Sequence, residues 1–208
     1  KHPIIMENLH GIKRTLGSRQ KAKKPILIND LKLIIKAIDE EKIRDKALIL
    51  VGFSGGFRRS ELVNIDYEDV EFVTEGVKIL IKRSKTDQSG EGSVKAIPYF
   101  DNQEFCPVVA LKNYVNKKFS NTNEGKIFNI SDKSVALIIK RYAEKAGLDS
   151  SKYAGHSLRS GFATTAAEFG AEERNIMAMT GHKTTQMVRR YIQEANLFKN
   201  NALNKIKI

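Results

Sequence analysis

The C-terminal third of the chain carries residue types suited to phosphate chemistry. His156 and Arg159 stand three positions apart, His182 follows a glycine, and Tyr191 comes nine positions after His182. A tyrosine hydroxyl among cations can attack a phosphodiester, because the cations favour the phenolate, neutralise the phosphate and align the bond that breaks. We therefore expect phosphoryl transfer to Tyr191, without a metal ion.

Two further segments carry candidate site residues. Arg58 precedes Glu61 by three positions in Gly-Phe-Arg-Arg-Ser-Glu-Leu, so the carboxylate can fix the guanidinium bidentately. Lys85, in Ser-Lys-Thr-Asp, lies where a lysine could give a proton to a leaving alkoxide. Each motif also has an ordinary structural explanation. Arg58 and Glu61 could form a weak surface ion pair, Lys85 could protect a sheet edge, and His156 could be a helix cap beside a surface arginine.

Composition narrows the class of protein. The chain has 208 residues, 41% of them hydrophobic and 29% charged, which is typical of a soluble globular domain. Lys and Arg total 36 against 24 for Asp and Glu, a net charge of +12. This surplus points to nucleic acid as the partner, although a merely basic, soluble surface is the alternative.

The single cysteine, the lengths of the apolar runs and the N-terminal residues exclude several classes of protein. A single cysteine, Cys106, cannot form an internal disulfide, which fits a reducing, cytoplasmic location, and it argues against cysteine-based zinc sites. No apolar run reaches the roughly 20 residues of a membrane span. The N-terminus lacks both an initiator Met and a signal-like segment, so we expect a fragment of a longer chain.

Hydrophobic periodicity predicts a mainly helical chain. Asn29 or Asp30 and, later, Ser131 are expected as helix N-caps, with Pro107 in a first turn. The predicted helices cover residues 4–16, 30–38, 42–53, 60–64, 107–119, 132–146, 158–169, 172–179 and 184–197.

Alternating apolar residues predict strands at 70–72, 77–81 and 94–97, with Pro98 ending the last strand at a sheet edge. Residues 84–92 would form the hairpin tip. The predicted fold class is α+β, mainly α-helical, with a small three-stranded antiparallel sheet inserted after the second helix of the domain.

Together these motifs resemble the catalytic domain of the tyrosine recombinase, or phage integrase, family. The resemblance covers about residues 25–195 and rests on four elements in the family's order and at its distances. They are Arg58 in its Gly-Phe-Arg-Arg-Ser-Glu-Leu segment, the His156/Arg159 pair with Ser160-Gly161, Gly181-His182, and Tyr191.

The resemblance implies a role for each site residue. Tyr191 would be the nucleophile that forms a 3′-phosphotyrosyl link and frees a 5′-hydroxyl, while Arg58 and Arg159 would bind the non-bridging oxygens. His156 would handle the nucleophile's proton and His182 would hydrogen-bond the phosphate. Lys85 would protonate the leaving oxygen. No cofactor, metal or ATP is implied, since the covalent link conserves the bond energy.

Some assignments stay open at this point. The hairpin is longer than in many relatives, so Lys82 or Lys95 could fill the role given to Lys85. Arg59 and Arg190 are additional cations that could contact flanking phosphates.

The domain organisation follows from the same resemblance. Residues 1–24 would be the end of a preceding DNA-binding domain plus a linker, or a solvated extension, and residues 25–208 the catalytic domain. The segment after Tyr191 would join protomers into a homo-tetramer on double-stranded DNA, or would fray as a basic tail. Accessory DNA-bending proteins would be further partners.

The expected function is site-specific DNA recombination, in integration or excision of a phage or mobile element. A DNA-relaxing or chromosome-resolving transesterase would use the same residues. A silent DNA-binding module would not need the tyrosine, and an RNA-binding protein lacks an aromatic-rich strand motif.

Overall fold

A computed structural model of the protein describes residues 2–16, 23–82, 92–196, 198 and 202–206. These residues form a mainly α-helical α+β fold with a small antiparallel sheet, as predicted. No helix in this part of the chain has the length and apolar content needed to cross a bilayer. The helices are α1 (Pro3–Leu16), α2 (Ile28–Lys36), α3 (Ile43–Ser54), α4 (Arg59–Val63), α5 (Pro107–Lys118), α6 (Asp132–Lys145), α7 (His156–Glu168), α8 (Glu173–Thr180) and α9 (Thr185–Asn196).

Helix α3 lies at the centre of the main core. Residues 47–51 are all at most 1% exposed, so α3 is buried on every side rather than along one stripe. It packs against α5 and α7, while α2 packs against α6. The helix ends before Gly55 and Gly56, and Gly56 has a positive φ of 56°. The turn that leads to Arg58 therefore starts from the most deeply buried helix.

The strands β1 (Val70–Val73), β2 (Gly76–Ile81) and β3 (Ser93–Pro98) form an antiparallel sheet in the order β1-β2-β3. Val77, Ile79 and Ile81 of β2 are buried, whereas the residues between them are exposed. This alternation places one face of the sheet on the core. Pro98 ends β3 at the sheet edge, which confirms its predicted position.

Two helices, α2 and α7, start two residues earlier than predicted. Helix α2 begins after Leu27 as N-cap, so the prediction that Asn29 or Asp30 caps it is wrong. Asp30 instead accepts hydrogen bonds from Lys24 Nζ at 2.8 Å and from Tyr153 Oη at 2.9 Å. The carboxylate has charged and hydroxyl partners in the tertiary structure, and these take the place of the local cap. By contrast, Ser131 caps α6 as predicted, accepting from Ser134 N–H at 3.2 Å.

Helix α7 starts at His156, two residues earlier than predicted. Ser157 Oγ accepts a hydrogen bond from the Ala154 N–H at 3.0 Å and closes the turn that leads into this helix. Ile26 N–H donates to Ser157 O at 3.0 Å, and a Cβ at Gly161 would stand 2.1 Å from Ile26 O. Only glycine permits this approach. The first turn of α7, which carries His156, is thereby fixed to the segment before α2.

A second, smaller apolar cluster holds the C-terminal helices. It consists of Ala163 and Ala167 of α7, Ile176 of α8 and Val188 of α9, with Tyr191 partly buried against it. Val188 is 0% exposed. The helix that carries Tyr191 is therefore attached to the domain mainly through α7 and α8.

Candidate active site

Arg58 is fixed at the junction of α3 and α4. It is the N-cap residue of α4, and Glu61 accepts from its guanidinium at 2.5 Å and from its backbone N–H at 2.9 Å. The two side chains are only 20% and 3% exposed, so the pair is not the weak surface ion pair that the sequence left open. Arg58 Nη2 also donates to Gly181 O at 3.2 Å, which links this turn to the one before His182.

Arg159 lies one helical turn after His156 in α7 and is 2% exposed. Its Nη1 donates to Gly56 O at 3.0 Å, so it contacts the turn that carries Arg58. Burial first, and Arg58 second, lower the pKa of Arg159 to about 10, which leaves the guanidinium charged at neutral pH. Two cations held together in a partly dry pocket favour the binding of an anion there.

His182 enters the same pocket from the end of α8. Gly181 has the left-handed conformation, φ 61°, that commonly ends a helix and turns the chain. The His182 side chain is 7% exposed, and its Nδ1 lies 2.7 Å from Thr180 Oγ1. Burial, followed by the charges of Arg159 and Arg58, lowers the pKa of His182 to about 4, so the free site holds it neutral.

Tyr191 and His156 meet at the open side of the pocket. Tyr191 Oη lies 3.4 Å from His156 Nε2, and the Tyr191 and His182 ring centroids are 5.9 Å apart. Partial burial, together with Arg159 and Arg58, lowers the pKa of His156, which favours the neutral imidazole. A neutral imidazole can accept the phenol's proton, and contacts of this length tighten when substrate binds.

The fold thus brings together five of the six predicted site residues. Lys85 lies outside the described residues. The five form one pocket from α4, α7, the end of α8 and α9, and they are Arg58, His156, Arg159, His182 and Tyr191.

The sequence pattern of the phage integrase family matches residues 25–197. The chain belongs to the phage integrase family. The matched range, residues 25–197, agrees closely with the range of about 25–195 that the motifs indicated.

Relatives of this chain are named as recombinases. It is 46% identical over 221 aligned residues to the integrase/recombinase xerD homolog of Selenomonas ruminantium, covering 99% of this chain and 64% of the relative. It is 30% identical to the tyrosine recombinase XerA of Pyrococcus furiosus, covering 85% of this chain and 63% of that one. The chain therefore spans less than two thirds of the length of these relatives.

Solved structures share the fold. The crystal structure of XerA recombinase superposes with a TM-score of 0.69 at 21% identity, covering 92% of this chain and 67% of that one. XerH recombinase, bound to its difH substrate before cleavage, gives a TM-score of 0.64 at 19% identity, with coverages of 83% and 51%. At these identities the likeness establishes the fold.

Lys82 and Lys95, the two alternatives to Lys85 as proton donor, lie in different surroundings. Lys82, at the end of β2, forms an ion pair with Asp69 at 3.0 Å and a shorter one with Glu68. Lys95, on β3, is 6% exposed and donates to Gly55 O at 2.7 Å and to Met179 O. Burial lowers the pKa of Lys95 to about 8. Both ammonium groups thus have partners within the domain.

The sequence did not single out one residue of the site, Thr180. Its hydroxyl contacts His182 from the last position of α8, and the one sequence signal for it is a hydroxyl residue two positions before the site histidine. The additional arginines lie at the edge. Arg59 is 3.9 Å from Asp132, and Arg190 is exposed.

Proposed function

We propose that this chain is the catalytic domain of a site-specific DNA recombinase that cleaves and rejoins strands through Tyr191. The observation that carries the proposal is the 3.4 Å approach of Tyr191 Oη to His156 Nε2. The guanidiniums of Arg58 and Arg159 lie beside this pair and are held by hydrogen bonds to Gly181 O and Gly56 O. In the reaction, Tyr191 Oη bonds to the scissile phosphorus while the bond from phosphorus to the 5′-oxygen breaks. A 3′-phosphotyrosyl link and a free 5′-hydroxyl result.

The proton transfers follow from the positions of the groups. His156 takes the proton of Tyr191, since a free tyrosine with a pKa of about 10 is a weak nucleophile at neutral pH. Lys85 gives a proton to the departing 5′-oxygen. It is proposed for this role because Lys82 and Lys95 have partners within the domain.

The remaining site residues stabilise charge on the phosphate. Arg58 and Arg159 donate to its non-bridging oxygens, and His182 adds a further hydrogen bond. The hydrogen bonds of Arg58 to Gly181 O and of Arg159 to Gly56 O hold the two guanidiniums in place before substrate arrives. Because the phosphotyrosyl bond keeps the energy of the broken bond, the reverse attack by a 5′-hydroxyl rejoins strands without ATP or a metal ion.

The biological setting is proposed from charge and resemblance. Double-stranded DNA is the substrate, consistent with the net charge of +12, and the reaction takes place in the cytoplasm. The product is integration or excision of a phage or mobile element, with accessory DNA-bending proteins. The segment after Tyr191 joins protomers into a homo-tetramer. Residues 1–24 end a preceding DNA-binding domain, which is consistent with exposed Ile4, Ile5 and Ile12 on α1.

The test is covalent capture of DNA. The protein is incubated with duplexes that have a random centre and a nearby nick, so that the short strand bearing the 5′-hydroxyl departs after cleavage and the adduct accumulates. DNA that stays attached after denaturation is sequenced, and the modified residue is mapped by mass spectrometry. We expect the label on Tyr191 and no adduct with Tyr191→Phe.

The matched control is Tyr99→Phe, because Tyr99 is an exposed tyrosine that lies directly after the last strand of the sheet. It should form the adduct at the rate of the unchanged protein, and Tyr191→Phe should bind DNA with nearly unchanged affinity. An adduct that persists in Tyr191→Phe would disprove the nucleophile assignment. DNA binding without any adduct would favour the silent DNA-binding module instead.

A further inference from the structure

The hydroxyl of Thr180 makes two short contacts that together define where the protons lie. Thr180 Oγ1 is 2.6 Å from Ile176 O and 2.7 Å from His182 Nδ1. A carbonyl oxygen can only accept, so the single hydroxyl proton of Thr180 is donated to Ile176 O. The Thr180 oxygen must then accept the other bond, and the donor is His182 Nδ1–H. In the neutral imidazole, the second nitrogen, Nε2, carries a lone pair and no hydrogen.

We propose that Thr180 is a positioning residue that holds neutral His182 in its Nδ1–H tautomer, so that His182 can donate from Nε2 only after it takes up a proton. The inference rests on the proposed function, in which His182 hydrogen-bonds the scissile phosphate. Its consequence is that phosphate binding is coupled to protonation of His182.

The surroundings of His182 make this coupling strong. Thr180 is 0% exposed and His182 is 7% exposed, so water does not compete for the hydrogen bond between them. The groups that face His182 are Arg159 and His156 from α7, Arg58 from the start of α4, Lys95 from β3 and the ring of Tyr191 from α9.

These neighbours give the sign of the effect. Arg58, Arg159 and Lys95 oppose a further positive charge, and with burial they lower the pKa of His182 to about 4 in the free site. A bound phosphate supplies negative charge at the same place and favours the imidazolium. A proton is then taken up on binding, and linkage requires that phosphate binding weakens as the pH rises.

The tautomer can be measured without DNA. In nitrogen-15 NMR spectra of the histidine side chains at neutral pH, His182 should show its hydrogen on Nδ1. The signal is assigned by its loss in His182→Gln. In Thr180→Val, which keeps the side-chain shape but lacks the hydroxyl, the hydrogen should move wholly or partly to Nε2. Thr180→Ser should retain the pattern of the unchanged protein, and so should Thr184→Val, a control in the following exposed turn.

A hydrogen on Nε2 of His182 in the unchanged protein would overturn the proposal, and this spectrum decides the matter even if Thr180→Val does not fold. An identical tautomer in a folded Thr180→Val would overturn it equally, because the hydroxyl would then not be what selects it.

The coupling is tested by calorimetry with a captured DNA duplex, in buffers of different ionisation enthalpy. The unchanged protein should take up more protons on binding than Thr180→Val, by up to about one proton near neutral pH. Equal uptake would disprove the coupling while leaving the recombinase proposal intact. If no DNA is captured or bound, the proposed function fails, whereas the NMR result for Thr180 stands independently.

Discussion

The pocket that holds Arg58 and Arg159 and the helix that carries Tyr191, the proposed nucleophile, rest on different apolar clusters. Arg58 lies on the turn that follows α3, where residues 47–51 are at most 1% exposed, and Arg159 lies in α7, which packs against α3. Tyr191 lies on α9, whose fully buried side chain, among those described, is Val188. The large apolar cluster thus supports the two arginines, whereas the small second cluster supports the tyrosine.

This difference between the two regions matches the role proposed for each of them. Donors that stabilise charge in a transition state must be fixed in advance, because reorienting them during the reaction would cost the energy they provide. A nucleophile instead has to approach, form a bond and withdraw again. A helix held by few buried apolar side chains opens at lower free energy than a central one. We therefore interpret α9 as the adjustable part of the site and the arginine pocket as the rigid part.

Of the changes that test this comparison, the largest effect should come from removing a positive charge from the arginine pocket. Arg159→Met should lower the rate of adduct formation by about 10²–10³-fold, the usual loss for one transition-state donor. The measurement is the rate of covalent capture under single-turnover conditions. Arg141→Met, an exposed arginine on α6, is the control and should cleave normally. Near-normal cleavage by Arg159→Met would remove this residue from the phosphate pocket.

A stability measurement shows how much one buried side chain in each cluster contributes. Leu48→Ala, at a fully buried position of α3, should lower the free energy of unfolding by about 2–5 kcal/mol. Val188→Ala, equally buried on α9, should cost less, about 1–3 kcal/mol, because fewer methylene groups are lost. Denaturant unfolding measures both.

Hydrogen exchange should then locate the effect of Val188→Ala. In the unchanged protein, we expect α9 amides to exchange at least about 100-fold faster than those of α3. Val188→Ala should accelerate exchange in α9 and leave α3 protected. Equal protection of the two helices would contradict the division of the site into a rigid and an adjustable part.

The smallest effect concerns how the rate of cleavage depends on pH through the protonation of His156. Burial, then Arg159, Arg58 and Arg59, lower its pKa, so the imidazole stays neutral and able to accept a proton below the ordinary histidine range. Cleavage should therefore persist in mildly acidic solution and decline only when the pH falls through this lowered value. Arg59→Gln removes one of the opposing charges, so the pKa of His156 should rise and the decline should begin at higher pH.

That shift should be modest, since Arg59 is 43% exposed and water screens it. An NMR titration of His156 measures it, with Arg44→Gln on the opposite end of α3 as the control. A fall in the pKa of His156 on loss of Arg59 would show that its charge does not act on this imidazole.

Much of the architecture was predictable from local patterns. Alternation gave the buried face of β2, Pro98 marked the edge of the sheet, and Ser131 capped α6, since each of these signals acts within a few residues. The start of α2 was not predictable in this way. Asp30 resembles a cap in sequence, but its partners, Lys24 and Tyr153, are brought to it by the fold.

For the candidate site too, the sequence determined some features and the tertiary structure determined others. The order and spacing of Arg58, His156, Arg159, His182 and Tyr191 identified the family and the residue types, because motif spacing is carried by the chain itself. Tertiary structure alone decided that Arg159 donates to Gly56 O, that Lys95 is buried, and that the hydroxyl of Thr180 contacts the imidazole of His182. The physical reason is that burial and hydrogen-bond direction depend on which segments meet, and sequence separation does not specify this.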